Sequence, residues 1–156
     1  MDIAVTTLLF IVYTLLEIKS ERYLNNYVRI MIMSVIVTHF LLGEYLGLNL
    51  SSPLYNRLQH FIGAYAFALF AYSLARQILG QPTFSKPYEL ILVASLGISM
   101  GVLIEIGEFA KDMIFKPQVQ YQPGLIDTNL DLIMNMGGSI AAALHSGLDK
   151  RLICCV

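Results

Sequence analysis

Charge is scarce in this chain of 156 residues, and tryptophan is absent. Asp, Glu, Lys and Arg make up 13% of it, about half the ~25% of a soluble domain. That shortage excludes an ordinary water-facing surface. The two cysteines, Cys154 and Cys155, are adjacent, so they imply no disulfide framework, and no second pair accompanies them as a metal site would need. No basic run occurs, and a net charge of −1 leaves no electrostatic footprint for nucleic acid. A Gly-rich phosphate loop, a Ser-His-Asp order and a CxxC pair are missing too, as are repeats and low-complexity tracts.

Apolar residues fill the gap. They make 56% of the chain, with a mean hydropathy of +0.65. A spanning helix needs roughly 20 mostly apolar residues. Five segments meet or approach this: 3–18, 28–48, 58–79, 88–110 and 130–148. The first is short and ends at Glu17, and with only Asp2 before it it lacks the positive start of a secretory leader. The linkers 19–27, 49–53, 80–87 and 111–128 carry charges, an Asn25-Asn26 pair, prolines and a Pro123-Gly124 turn signal. The fold predicted is all-α: one transmembrane domain over 1–156, a multi-pass bundle of about five spanning helices.

Basic residues set the expected orientation. Lys19, Arg22, Arg29, Arg76, Lys86, Lys150 and Arg151 fall on one side, and Arg57, Lys111 and Lys116 on the other. The richer side should be cytoplasmic, which puts the N-terminus out and the C-terminus in. Tyr13, Tyr45, Tyr55, Tyr88 and Tyr121 lie near the expected interfaces, as an aromatic belt would.

Ionisable residues inside a membrane cost about 2.5–3.5 kcal/mol each at mid-helix, and so mark function by default. Here they gather at one depth, on the expected outer side. His60 opens the third segment, Glu105 and Glu108 end the fourth, and Asp127 and Asp131 open the fifth with Asn135 a turn deeper. Glu44 ends the second on the same side, whereas His39 should point about 140° away from it at the α-helical pitch. Glu105 and Glu108 share a face; Asp127, Asp131 and Asn135 form a stripe. Small residues continue these faces: Gly97 and Gly101 before Glu105; Ala64, Ala68, Ala71 and Ala75 after His60; Gly138, Ser139 and Ala142 after Asn135. Such residues line close helix contacts in membranes, so the acidic faces should meet inside the bundle as a polar cup. The competing reading places these acids in the headgroup zone, with Asp127 as a helix N-cap.

Carboxylates this close need compensation by protons or by a cation. Oxygen ligands with one imidazole suit divalent Zn, Mn or Fe. The expected ligands are His60, Glu105, Glu108, Asp127 and Asp131. Glu105, Glu108 and Asp131 would be the catalytic groups, with Asn56, Asn135 and Glu44 as further polar members.

The stretch Tyr55-Asn56-Arg57-Leu58-Gln59-His60-Phe61, followed by Gly63 and Tyr65, resembles the HF motif of VanZ-like membrane proteins and, more closely, the Tyr-Asp-Arg-x-x-His-Phe of YjdF-like proteins. Leu103-Ile104-Glu105-Ile106-Gly107-Glu108-Phe109 is similar to that family's Leu-Tyr-Glu-x-x-Glu-Trp segment. Asp127-Thr128-Asn129-Leu130-Asp131, with Gly137-Gly138 after it, resembles its Asp-Thr-x-x-Asp segment, and Ala75-Arg76-Gln77-Ile78-Leu79 its basic helix end. The likeness covers about 54–148. It implies a helical protein of the bacterial inner membrane. The VanZ name is linked to glycopeptide resistance without a settled chemistry. Asn56 departs from the family's Asp, and Gly124 from its expected acid; these changes remove two oxygen ligands and make Glu44 a candidate replacement.

Three functions are therefore expected to compete: a metal-dependent activity on lipid or envelope-lipid headgroups, a small proton- or cation-coupled transporter, and a non-catalytic membrane adaptor. The expected partners are membrane lipids and, through the small-residue faces, further copies of the chain.

Overall fold

In the computed structural model, which describes residues 24–80 and 84–148 together with 14, 15 and 18, every regular element is helical. Segment 3–18, Tyr13, and the C-terminal Lys150, Arg151, Cys154 and Cys155 fall outside the described residues, apart from residues 14, 15 and 18. Helix α1 runs Asn26–Thr38, with the Asn25 side chain accepting from the Tyr27 amide at its start. It continues directly into a π-helix, His39–Tyr45. A single turn, α2 (Leu48–Ser51), leads to α3 (Pro53–Ile78), α4 (Lys86–Phe115) and α5 (Leu125–Leu148).

The helices begin earlier than the apolar runs suggest. Pro53 and Pro87, read above as linker residues, sit in the first turns of α3 and α4, where proline's fixed φ and missing N–H fit the helix. Ser52 caps α3 by accepting from the Tyr55 amide. At the far end of α4, Lys116 takes the left-handed conformation (φ 46°) and Pro117 prevents continuation. Helix α5 starts two residues before Asp127, with Thr128 bonding back to Gly124. Asp127 is thus a first-turn residue and not the N-cap.

Three described helices are long and apolar enough to cross a membrane: 26–45, Pro53–Ile78 and Lys86–Phe115, of 20, 26 and 30 residues. Helix α5, with 24 residues, matches them in length but buries Asp131, Asn135, Ser139 and Ser146 against its neighbours. The molecule is an all-α, multi-pass bundle. Contacts fix its topology: Asn56 meets Asp131 and Tyr65 meets His145, so α3 and α5 run parallel. Helix α4 runs against both, pairing Gly101 with Asn135 and Gly97 with Ser139 and Ala68. Helix α1 lies antiparallel on α3, through Gln59 to Val35 and Tyr27 to Tyr65.

The packing puts small residues inside and large ones outside. Ala64, Ala66, Ala68 and Ala142 are fully buried, while Ile91, Ile106, Phe109, Ile133 and Leu144 are exposed. Burying large side chains gains nothing when the solvent is lipid, so close backbone approach drives association instead. The Gly97–Gly101 step and the alanine face of α3 are used within the chain. Tyr45 and Tyr88 are exposed as a belt requires, but Tyr55 and Tyr121 turn inward to hydrogen-bond Thr38 and Glu44.

Gly138 marks the tightest approach, since a Cβ there would run into the Phe61 carbonyl oxygen. Gly138→Ala is expected to destabilise the bundle by about 1–3 kcal/mol or more, read as a lower midpoint in thermal circular dichroism in detergent. Gly107→Ala, where a Cβ meets nothing within 4 Å, should be neutral or stabilising by up to about 1 kcal/mol.

Candidate functional site

His60 lies two turns into α3, about 10 Å along the helix from Pro53 at 1.5 Å per residue. Its ring is 6% exposed and has carboxylates on both nitrogens. Glu105 Oε1 stands 3.3 Å from Nδ1, while Glu108 Oε1 and Asp131 Oδ2 stand 3.8 and 3.7 Å from Nε2. Three helices therefore converge on one imidazole. Glu105 and Glu108 reach it together because three residues nearly complete a helical turn.

Amides hold the carboxylates in place. Asn56 Nδ2 donates to Asp131 Oδ2 at 3.0 Å. Asn135 Nδ2 donates to Glu105 Oε1 (3.3 Å) and to the Gly101 carbonyl (3.5 Å). Gln122 Nε2 donates to Glu105 Oε2 (3.1 Å) and to the Glu105 carbonyl (2.8 Å). Gln122 is itself placed by Asp112, whose two oxygens accept from the Tyr121 and Gln122 backbone amides. Among the described residues, no Lys or Arg comes within ion-pair distance of Glu105, Glu108 or Asp131. Asp131 Oδ1 is a buried acceptor with no hydrogen-bond partner, a costly condition that usually signals a further group. One ligand atom each from His60, Glu105 and Glu108 lies within 4.8 Å of the others. Opposite ligands of an octahedral ion at about 2.1 Å stand ~4.2 Å apart, so small rotamer changes would close the set on a cation.

Asn135 and Asn56 join this centre as donors. Asp127, a turn before Asp131, makes no ion-pair contact with His60 and instead lines a half-open cavity of about 450 Å³ over the end of the bundle. Glu44 belongs to a separate group, accepting from Asn49 Nδ2 and the Tyr121 hydroxyl, with His39 Nε2 3.7 Å away. That pairing corrects the 140° separation expected for a uniform α-helix. The π-helix bonds i to i+5, as in Leu46 N–H to Leu41 O, and so brings residues five apart toward one face.

Two features escaped sequence reasoning. Gln122 sits in a linker without periodicity, and nothing local distinguishes it from Gln118 or Gln120. Deeper in the bundle, the Tyr65 hydroxyl bonds both the Tyr27 hydroxyl (2.8 Å) and His145 Nδ1, and nearer the other end the Tyr72 hydroxyl donates to buried Glu89 (3.2 Å). Tyr65 and Tyr72, seven apart, share the inner face of α3, which was the available signal.

Gln122→Ala should leave Glu105 Oε2 without its donor and lower stability by about 1–3 kcal/mol. Gln118→Ala, at an exposed position of the same loop, should shift it by no more than about 0.5 kcal/mol. Chemical denaturation in mild detergent, followed by circular dichroism, compares the two.

The chain is 31% identical over 118 residues to an uncharacterised protein of Thermotoga maritima, an alignment that covers 74% of this chain and 59% of the relative. The chain thus spans less than two thirds of that protein's length. No solved structure matches it. Residues 2–150 match the family described as predicted membrane protein (DUF2238), and the chain belongs to that family.

Proposed function

We propose that the chain holds a divalent metal ion, Zn, Mn or Fe, between His60, Glu105, Glu108 and Asp131, and uses it on a lipid or envelope-lipid headgroup. The observation that carries this reading is three carboxylates from two helices around a buried imidazole, with no Lys or Arg among the described residues in ion-pair contact with them. Protein interiors tolerate such a set only with compensation, and the partnerless Asp131 Oδ1 supplies a further oxygen. An ion there would polarise a phosphoryl or carbonyl oxygen, or activate water. Asn56, Asn135 and Gln122 would orient the ligands, as outer-shell partners do at metal sites.

Depth supports a headgroup substrate. The centre lies at one end of the spanning helices, about two turns below their start. The distribution of basic residues in the sequence supports reading that end as the outer one, and the resemblance to YjdF- and VanZ-like proteins suggests the bacterial inner membrane.

A second reading, a proton- or cation-coupled transporter, draws on the Tyr27–Tyr65–His145 and Tyr72–Glu89 groups, which carry polarity toward the opposite end. Flux of protons or metal into liposomes at any pH would favour it.

The metal reading predicts one divalent ion per chain after purification in chelator-free detergent. Glu105→Ala and Asp131→Ala should lose it, Asn135→Ala should weaken it by about 10–100-fold, and Glu44→Ala should keep it. Wild-type protein without stoichiometric metal, or an ion indifferent to both ligand substitutions, would refute the reading.

A further inference from the structure

The cavity beside the acidic centre has its own chemistry. It measures about 450 Å³ and lies under the loop that joins α4 to α5, within the ~300–1,000 Å³ typical of small-molecule sites. Its polar wall comes from Asn49, Asn56, Gln118, Gln120, Tyr121 and Asp127. These are amides, a phenol and one carboxylate; among the described residues no Lys or Arg is in the lining, and Lys111 Nζ stands 4.9 Å over the Tyr121 ring. Such a wall offers neutral donors and acceptors and little for an anionic phosphate, which favours Arg, Lys or a helix N-terminus. One carboxylate among five neutral groups suits hydroxyls better than an ammonium ion.

The rim is apolar. Leu50 and Val119, which line the cavity, are 47% and 57% exposed, and Leu54, Leu125 and Ile126, close in sequence to the lining Pro53 and Asp127, are 68%, 76% and 78% exposed. A polar pocket edged by exposed aliphatic side chains matches an amphiphile, headgroup inward and acyl chains against that edge. A free sugar would gain nothing from that edge. Asn56 joins the cavity to the buried centre: it lines the former, and its Nδ2 is committed to Asp131 Oδ2. Its Oδ1 is then the acceptor left for an occupant.

We infer that this cavity binds the polyhydroxylated, glycosyl-type headgroup of a lipid and presents it, past Asn56, to the centre at His60. The inference names a substrate class for the proposed function and rests on that reading of the centre. Asp127 and Gln118 are headgroup-binding residues, which explains why Asp127 stands away from the imidazole.

The test uses delipidated full-length protein in detergent, offered equal amounts of glucosyl diacylglycerol, phosphatidylglycerol and phosphatidylethanolamine with identical acyl chains. Native mass spectrometry counts the bound lipid, and metal content is measured on the same samples. Glucosyl diacylglycerol is expected to be retained about tenfold over either phospholipid, the scale of one or two net hydrogen bonds. Asp127→Ala and the exposed Gln118→Leu should each reduce that preference, and the second keeps the test valid if the first does not fold. Equal retention of the three lipids overturns the inference, as does a preference for the amine or the phosphate headgroup. Stoichiometric metal without glycolipid preference sinks this inference alone. Glycolipid preference without metal upholds the cavity's ligand and sinks the metal-centred reading instead.

Discussion

Three carboxylates packed around His60 are the constraint on which the rest of the structure depends. Each sits in a bundle whose outer surface is aliphatic, so water cannot compensate them from the side. The chain answers with amides. Asn56, Asn135 and Gln122 direct N–H groups at Asp131 and Glu105, and Asp112 fixes the loop that delivers Gln122. Asparagine at position 56 has a physical sense in this setting. An aspartate there would add a fourth carboxylate against Asp131, whereas asparagine adds a donor. What remains without a partner, chiefly Asp131 Oδ1, is the oxygen that the proposed cation would take up.

The inverted packing makes that centre feasible. Polar side chains reach one another only if the helices carrying them approach closely. Gly97, Gly101 and Gly138 permit this by leaving room for Ser139, Asn135 and the Phe61 carbonyl. The same faces that carry small residues toward one end carry ionisable groups toward the other, so packing and chemistry share a single seam. Helix α5 belongs to that seam on both sides. At 24 residues it is slightly shorter than α3 and α4, and it is not among the helices apolar enough to cross a membrane by composition.

Much of this was legible in the residues. Apolar runs locate the spanning helices, and the stripes of Asp131 with Asn135 and of Glu105 with Glu108 point to the inner faces because small residues continue them. The misreadings are local. Pro53 and Pro87 look like linker residues until their place in a first turn is known. His39 and Glu44 look opposed until a π-helix changes the pitch. Asp127 shares a stripe with Asp131 but opens onto the cavity, because one turn moves it from the buried seam to the end of the bundle. Gln122 and the pairing of Tyr65 with His145 depend on which loop folds where and which helices run parallel, and neither leaves a periodic trace in one sequence.

X-ray absorption on zinc-loaded protein in a lipid nanodisc tests the central claim most directly, since it reports who stands around the ion. The account predicts one imidazole nitrogen and two or three oxygens at about 2.0–2.2 Å, with the imidazole signal lost in His60→Ala. A purely hydrated ion, or a spectrum unchanged by that substitution, would contradict it.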